Sequence, residues 1–159
     1  AVLSLALATA VIPFLIFNFS PAKIFLGDSG SIAIGFLSGA LGVYGWLQGA
    51  WSLFFPLVLF SPFLSDATFT IVKRILQRKN IFLPHKAHYY QRIVRHGYSV
   101  KIVWLGFLLV MLLCAFLAVF IESLKLFAQI LIVVSLMAAF VFTAICFEKV
   151  LRRSETQSR

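Results

Sequence analysis

Long apolar stretches broken by short polar segments run the whole length of this chain. A helix needs about 20 consecutive apolar residues to cross a bilayer. By that measure the pattern predicts five spans, at 1–17, 31–47, 51–72, 102–121 and 125–147. Only Gln48-Gly49-Ala50 separates the second span from the third, with Trp46 and Trp51 on either side, where aromatic rings anchor spans at the interface. A second tight connection, Glu122 to Lys125, joins the fourth span to the fifth. Segments 18–30 and 73–101 read as loops and 148–159 as a tail. The expected fold is all-α, a polytopic transmembrane helix bundle.

Two local patterns refine this picture. Ser31, Gly35, Gly39 and Gly42 form a small-residue stripe along span two. Such stripes let helix backbones approach closely in lipid, where hydrophobicity gives no drive to associate. The stripe is therefore expected to pack inside a bundle, within the chain or between two copies as a homodimer. Span three contains Pro56 and Pro62, which remove backbone donors and predict a kink.

Composition agrees with membrane residence. The chain is 62% hydrophobic and 12% charged, with a mean hydropathy of +1.01, whereas soluble domains carry about 25% charged residues. A net charge of +9 raises nucleic acid as a partner. Most of the basic residues flank apolar segments, however, and no recognisable nucleic-acid module accompanies them. Cys114 and Cys146 lie inside apolar runs without CxxC spacing, which argues against a disulfide framework or a zinc site. The chain opens within an apolar run at Ala1, with no basic segment before it. This reads as a membrane helix rather than a signal peptide, and the chain is expected to be the C-terminal part of something longer.

Charge also gives an orientation. Lys23 lies between spans one and two, eight basic residues lie between spans three and four, and four follow span five. Alternation of five spans puts these thirteen of the fourteen basic residues on one side, which the positive-inside rule makes cytoplasmic. The loops 18–30 and 73–101 then share a compartment with the tail.

Only five acidic residues occur in 159, and one of them, Asp28, sits in Gly27-Asp28-Ser29-Gly30-Ser31 at the start of an apolar helix. Two readings stand side by side. Asp28 or Ser29 caps the helix by accepting from its first-turn amides. Alternatively, a phosphate sits at the helix N-terminus and the carboxylate holds Mg²⁺ bridging substrate phosphates. Asp66, near the far end of span three, is a costly ionisable group in a membrane segment, with Lys73 and Arg74 two turns on as candidate ion-pair partners. Pro84-His85-Lys86-Ala87-His88-Tyr89-Tyr90-Gln91-Arg92 gathers cations and hydrogen-bonding groups. It suits either lipid headgroups or a diphosphate, and HxxH alone is no metal signature. His96 reads as a surface residue, and Lys149, Arg152 and Arg153 as a positive-inside anchor.

Together these motifs resemble a known family. Asn18-x-x-Pro21-Ala22-Lys23-x-Phe25-x-Gly27-Asp28-Ser29-Gly30-Ser31 is similar to a signature of the polyprenyl-phosphate N-acetylhexosamine-1-phosphate transferases. The stretch from Pro84 to Val94, closing with Gly97-Tyr98-Ser99, resembles the histidine loop of their sugar-transferring branch. The resemblance implies a membrane enzyme that moves a sugar 1-phosphate from a UDP-N-acetylhexosamine to polyprenyl (undecaprenyl) phosphate. It would release UMP and initiate lipid-linked O-antigen, capsule or cell-wall synthesis at the bacterial inner membrane.

Carried over by position, Asp28 matches the family's Mg²⁺-binding aspartate, Asn18 an asparagine that contacts the uridine base, and His88 the histidine beside the nucleotide-sugar diphosphate. Lys23, His85 and Arg92 are matched as phosphate or substrate neighbours, and Asp66 as an acidic position often seen in the third span. Tyr90 and Gln91 stand where some relatives have histidines, so those roles do not transfer. The family's Asp-Asp and Asn-rich Asp motifs belong to earlier loops than any in this sequence. The alternatives are an inactive truncated membrane fragment, or a transporter or channel subunit with Asp28 and Asp66 on an ion path.

Overall fold

A computed structural model describes residues 2–19, 22–78, 80, 93–94 and 97–157. Among them the elements are all helical: α1 (Val2–Asn18), α2 (Gly27–Leu47), α3 (Phe54–Leu59), α4 (Ser61–Leu76), α5 (Val100–Ile121) and α6 (Leu126–Gln157). Among the described residues three stretches are long and apolar enough to cross a membrane, namely Gly27–Leu47, Val100–Ile121 and Leu126–Val150, and Val2–Asn18 is a shorter apolar helix. At 1.5 Å per residue the 21 residues of α2 and the 22 of α5 reach just over 30 Å, the thickness of the hydrocarbon core. The protein is an all-α integral membrane protein. The chain divides into two compact units, residues 1–56 and 57–159, each described by itself below.

In the first unit, α1 and α2 are joined by a turn held from its own ends. Asn18 Nδ2 donates to the Ile24 carbonyl at 2.9 Å, and the Lys23 and Ile24 amides both donate to the Phe17 carbonyl, at 2.9 and 3.3 Å. The expected loop 18–30 is thus shorter than its polarity suggests, because α2 already begins at Gly27. At the other end of α2 the amides of Gly49 and Ala50 return to the carbonyls of Trp46 and Gly45, at 2.9 and 2.8 Å. This closes the helix end with the two bonds of a Schellman turn.

The chain then folds back onto α2. Trp51 Nε1 donates to the Gly42 carbonyl at 2.9 Å, and its ring stacks on Phe55 with centroids 5.1 Å apart. A Cβ at Gly45 would lie 1.9 Å from the Trp51 ring, and one at Gly42 would lie 3.0 Å from Pro56. Gly42 and Gly45 are buried, while within this unit Gly35 and Gly39 meet nothing within 4 Å. The stripe expected to pack from Ser31 to Gly42 is therefore used at its last position and at Gly45, which lies beyond it. The reason is local: a three-residue turn returns the chain only to the last turns of α2. Trp51, expected as an interface anchor, is a packing residue.

The second unit shows the predicted kink as a break. Span three is two helices, α3 and α4, parted at Phe60 (φ −95°, ψ 4°). Pro62 sits in the first turn of α4 and has no amide proton to give the carbonyl four residues earlier. That carbonyl belongs to Val58, and the Ser61 hydroxyl donates to it instead, at 2.7 Å. Ser61 is fully buried, with its oxygen 3.5 Å from Cys114 Sγ on α5. One turn on, Ser65 Oγ bonds the Ser61 carbonyl at 2.7 Å. In lipid, freed backbone groups must be re-satisfied by side chains or neighbouring helices, and serines do so here.

α4 packs on both α5 and α6. The α5–α6 hairpin is closed by Gln129, 7% exposed, whose Nε2 donates to the carbonyls of Ile121 and Leu124 at 3.0 and 3.1 Å. The tail expected after residue 147 continues α6 as helix to Gln157.

Candidate functional site

Asp28 occupies the first turn of α2, one residue after Gly27. Gly27 has φ +64°, a conformation that costs glycine nothing and strains residues with a Cβ. This lets the chain turn sharply from the Asn18-held loop into the helix. The capping reading fails. The residue at the cap position is Leu26, in helical conformation and with no side-chain bond to the helix. The Asp28 side chain is exposed and makes no ion pair with a described residue. Ser31 Oγ reaches back to the Asp28 carbonyl at 3.3 Å. An uncapped first turn of four free amides thus adjoins an exposed carboxylate, with the positive end of the helix dipole behind it.

Asn18 at the end of α1, Lys23 in the connecting turn and Asp28 in the first turn of α2 fall within one short stretch of chain. Lys23 is exposed and contributes its backbone amide to the turn. Asn18 spends one of its two amide protons on holding the turn closed. Its structural task was not legible in the sequence, because a six-residue side-chain-to-carbonyl bond has no spacing signature.

Asp66 belongs to the second unit, in the second turn of α4. It lines a cavity of about 980 Å³ whose walls are otherwise mostly apolar, with Ser65, Thr143 and Tyr98 among the polar exceptions. The cations expected to answer Asp66 are engaged elsewhere. Lys73 Nζ pairs with Glu148 Oε2 at 2.7 Å, and the Arg74 guanidinium donates to the Asn80 carbonyl. Glu148 is the residue that sequence reasoning passed over. Its signal was an acid placed just before Lys149, Arg152 and Arg153. His85, His88 and Arg92 lie outside the described residues.

Mg²⁺ keeps several waters and takes one or two carboxylates together with substrate phosphates. A single exposed Asp28 fits that pattern. No group of three or more His, Cys, Asp or Glu side chains able to hold a metal occurs among the described residues, so the protein atoms described supply a partial ligand set.

The fold and this turn define a class, an integral membrane protein with an anion-ready helix start. Comparison with known proteins then narrows it. Residues 1–46 match the glycosyl transferase family 4 model, and these include Asn18, Lys23 and Asp28. The chain is 30% identical, over 82% of its length and 37% of the relative's, to a probable undecaprenyl-phosphate N-acetylglucosaminyl 1-phosphate transferase of Bacillus subtilis. It is 34% identical to a decaprenyl-phosphate N-acetylglucosaminephosphotransferase of Mycobacterium leprae, over 67% of this chain and 31% of that one. With a phospho-N-acetylmuramoyl-pentapeptide-transferase of Thermotoga neapolitana it shares 44% identity, over 46% of this chain and 22% of that one. No solved structure matches. The chain is thus similar to these polyprenyl-phosphate and phospho-N-acetylmuramoyl-pentapeptide transferases, and it spans about a third or less of their length.

Proposed function

We propose that the protein carrying this chain transfers an N-acetylhexosamine 1-phosphate from a UDP-sugar to polyprenyl phosphate at the cytoplasmic face of the bacterial inner membrane. The chain would form the C-terminal part of the enzyme. The observation that carries this reading is the similarity over 82% of the chain to a transferase of that printed activity, with the family match extending across the Asp28 turn.

The reaction is a phosphoryl transfer. An oxygen of the lipid phosphate attacks the sugar-bearing phosphorus of the UDP-sugar, the bond to the UMP oxygen breaks, and UMP leaves. Such reactions depend on positioning and charge neutralisation more than on covalent help from the protein. Asp28 is the proposed Mg²⁺ ligand, and the ion would supply neutralisation of the diphosphate charge. The first-turn amides of α2 would receive phosphate oxygens. Lys23, His85, His88 and Arg92 would hold and balance the diphosphate, and Asn18 would direct its remaining amide atoms to the uracil.

The cavity beside Asp66 offers the apolar room that an isoprenoid chain needs, which supports a lipid acceptor. The shared side that five alternating spans would give thirteen of the fourteen basic residues favours the cytoplasmic placement. A site at the membrane face also suits one soluble and one lipid substrate.

The test is UMP release from UDP-N-acetylglucosamine by the full-length protein, with undecaprenyl phosphate and Mg²⁺. Loss of a group that stabilises transferring charge costs about 10²–10³-fold, and at least that is expected for Asp28→Asn. Wild-type turnover in this variant would remove Asp28 from the site.

A further inference from the structure

The ion pair between Lys73 and Glu148 plays no part in the proposed transfer, yet both of its side chains are largely withdrawn from solvent. Their side chains are 25% and 17% exposed, and Nζ and Oε2 are 2.7 Å apart. Exposed ion pairs contribute little to stability. Where charges are largely withdrawn from water, removing one partner is costly because the other stays behind uncompensated. This chain has five acidic residues to spend, and one is committed to tying α6 to α4.

Where the pair sits gives it a purpose. Lys73 is in the last turn of α4, and Glu148 lies near the end of the membrane-length part of α6. The contact therefore brings the last turn of α4 beside the end of the membrane-length part of α6. α4 is detached from α3 by the break at Phe60, so it does not inherit its direction from the helix before it. Its first turn is tied to the Val58 carbonyl through the Ser61 hydroxyl, and its last turn is tied to α6 through Glu148. Asp66 lies between these two anchors. The sequence that follows α4 is the one carrying His85, His88 and Arg92.

We propose that Glu148 is a positioning residue for the transfer reaction. Through Lys73 it sets the direction of α4, and with it the placement of Asp66 and the departure point of the histidine-bearing segment. The pair also neutralises Lys73, which separates that cation from the ones assigned to the diphosphate. This inference rests on the transferase reading, and the test distinguishes the two.

In the full-length protein, Glu148→Gln, Lys73→Met and the swap Lys73→Glu/Glu148→Lys are compared for kcat and KM toward UDP-N-acetylglucosamine. In parallel, spin labels at Leu76→Cys and Val150→Cys, both exposed positions, report the α4–α6 distance in a Cys146→Ser background. Misplacement by about 1 Å can cost up to 10²-fold in rate. Either single variant is expected to lose about 10–100-fold in kcat with KM within about threefold of wild type, and to shift or broaden the label distance. The swap is expected to recover both.

A Glu148→Gln enzyme that turns over like wild type overturns the proposal. So does an unchanged label distance, and so does a swap that restores the distance but not the rate, since the side chains would then be acting on substrate directly. If the wild-type protein releases no UMP, the transferase reading falls and the positioning role falls with it. The label distance still decides whether Glu148 holds α4.

Discussion

The two units of this protein solve the same problem by different means. In lipid, apolar surfaces gain nothing by leaving water, so helices associate through close packing of small residues or through interhelical polar bonds. The first unit uses packing. Trp51 lies where Gly45 has no Cβ, bonded to the Gly42 carbonyl and stacked on Phe55. The second unit uses polar bonds: Ser61 on the carbonyl that Pro62 leaves unpaired, Gln129 on two carbonyls of the hairpin, and Glu148 on Lys73. Packing of the first kind tolerates no added atoms, whereas the second kind tolerates changes of shape but no loss of a partner. Asp28 belongs to neither scheme. It sits in the packed unit, exposed, with no side-chain bond to a described residue, as the role proposed for it requires.

Three substitutions probe this contrast through thermal unfolding of the purified protein. The largest effect is expected for Gly45→Val, whose Cβ would meet the body of the Trp51 ring at 1.9–2.5 Å. Overpacking costs about 1–3 kcal/mol, and displacing the indole also forfeits a hydrogen bond of about 1 kcal/mol. A melting temperature like that of wild type would mean that the Trp51 lock does not hold the hairpin. Gln129→Leu should come next. It keeps the volume but removes the side-chain donor from both carbonyls, Ile121 keeping only the Leu124 amide at 3.0 Å, at about 0.6–2 kcal/mol, the range for polar bonds between membrane helices. Equal losses for Gly45→Val and Gln129→Leu would erase the difference drawn between the units. The smallest effect is expected for Asp28→Asn, within about 0.5 kcal/mol as for other exposed substitutions, although turnover collapses. A large drop in its melting temperature would return Asp28 to a structural role.

Parts of the site were legible from residue types alone. Asp28 stood out because it is one of only five acidic residues and lies beside an apolar helix. The helix start was misread by four residues, since glycine, aspartate and serine look like a loop in composition. In the structure they form the first turn of α2. The cap reading failed for the same reason: Asp28 lies within the helix rather than ahead of it. Glu148 was passed over because its partner is 75 positions away, and no local spacing encodes such a contact. The prolines did announce a disturbance in span three. That the disturbance would be a full break, healed by Ser61, depended on a carbonyl that only the folded backbone leaves open.

By itself, the sequence determined what depends on local chemistry: that the chain lives in a membrane, that it is helical, and where its tight turns fall. Apolar run length and turn residues act over a few positions, and the bilayer forces backbone hydrogen bonds to close within each helix. The tertiary structure alone decided which glycines are packed, which carbonyls serine and glutamine must satisfy, and which cation answers which acid. Those outcomes depend on the distances between helices. In lipid such distances are set by a handful of specific contacts rather than by a general drive to bury apolar surface.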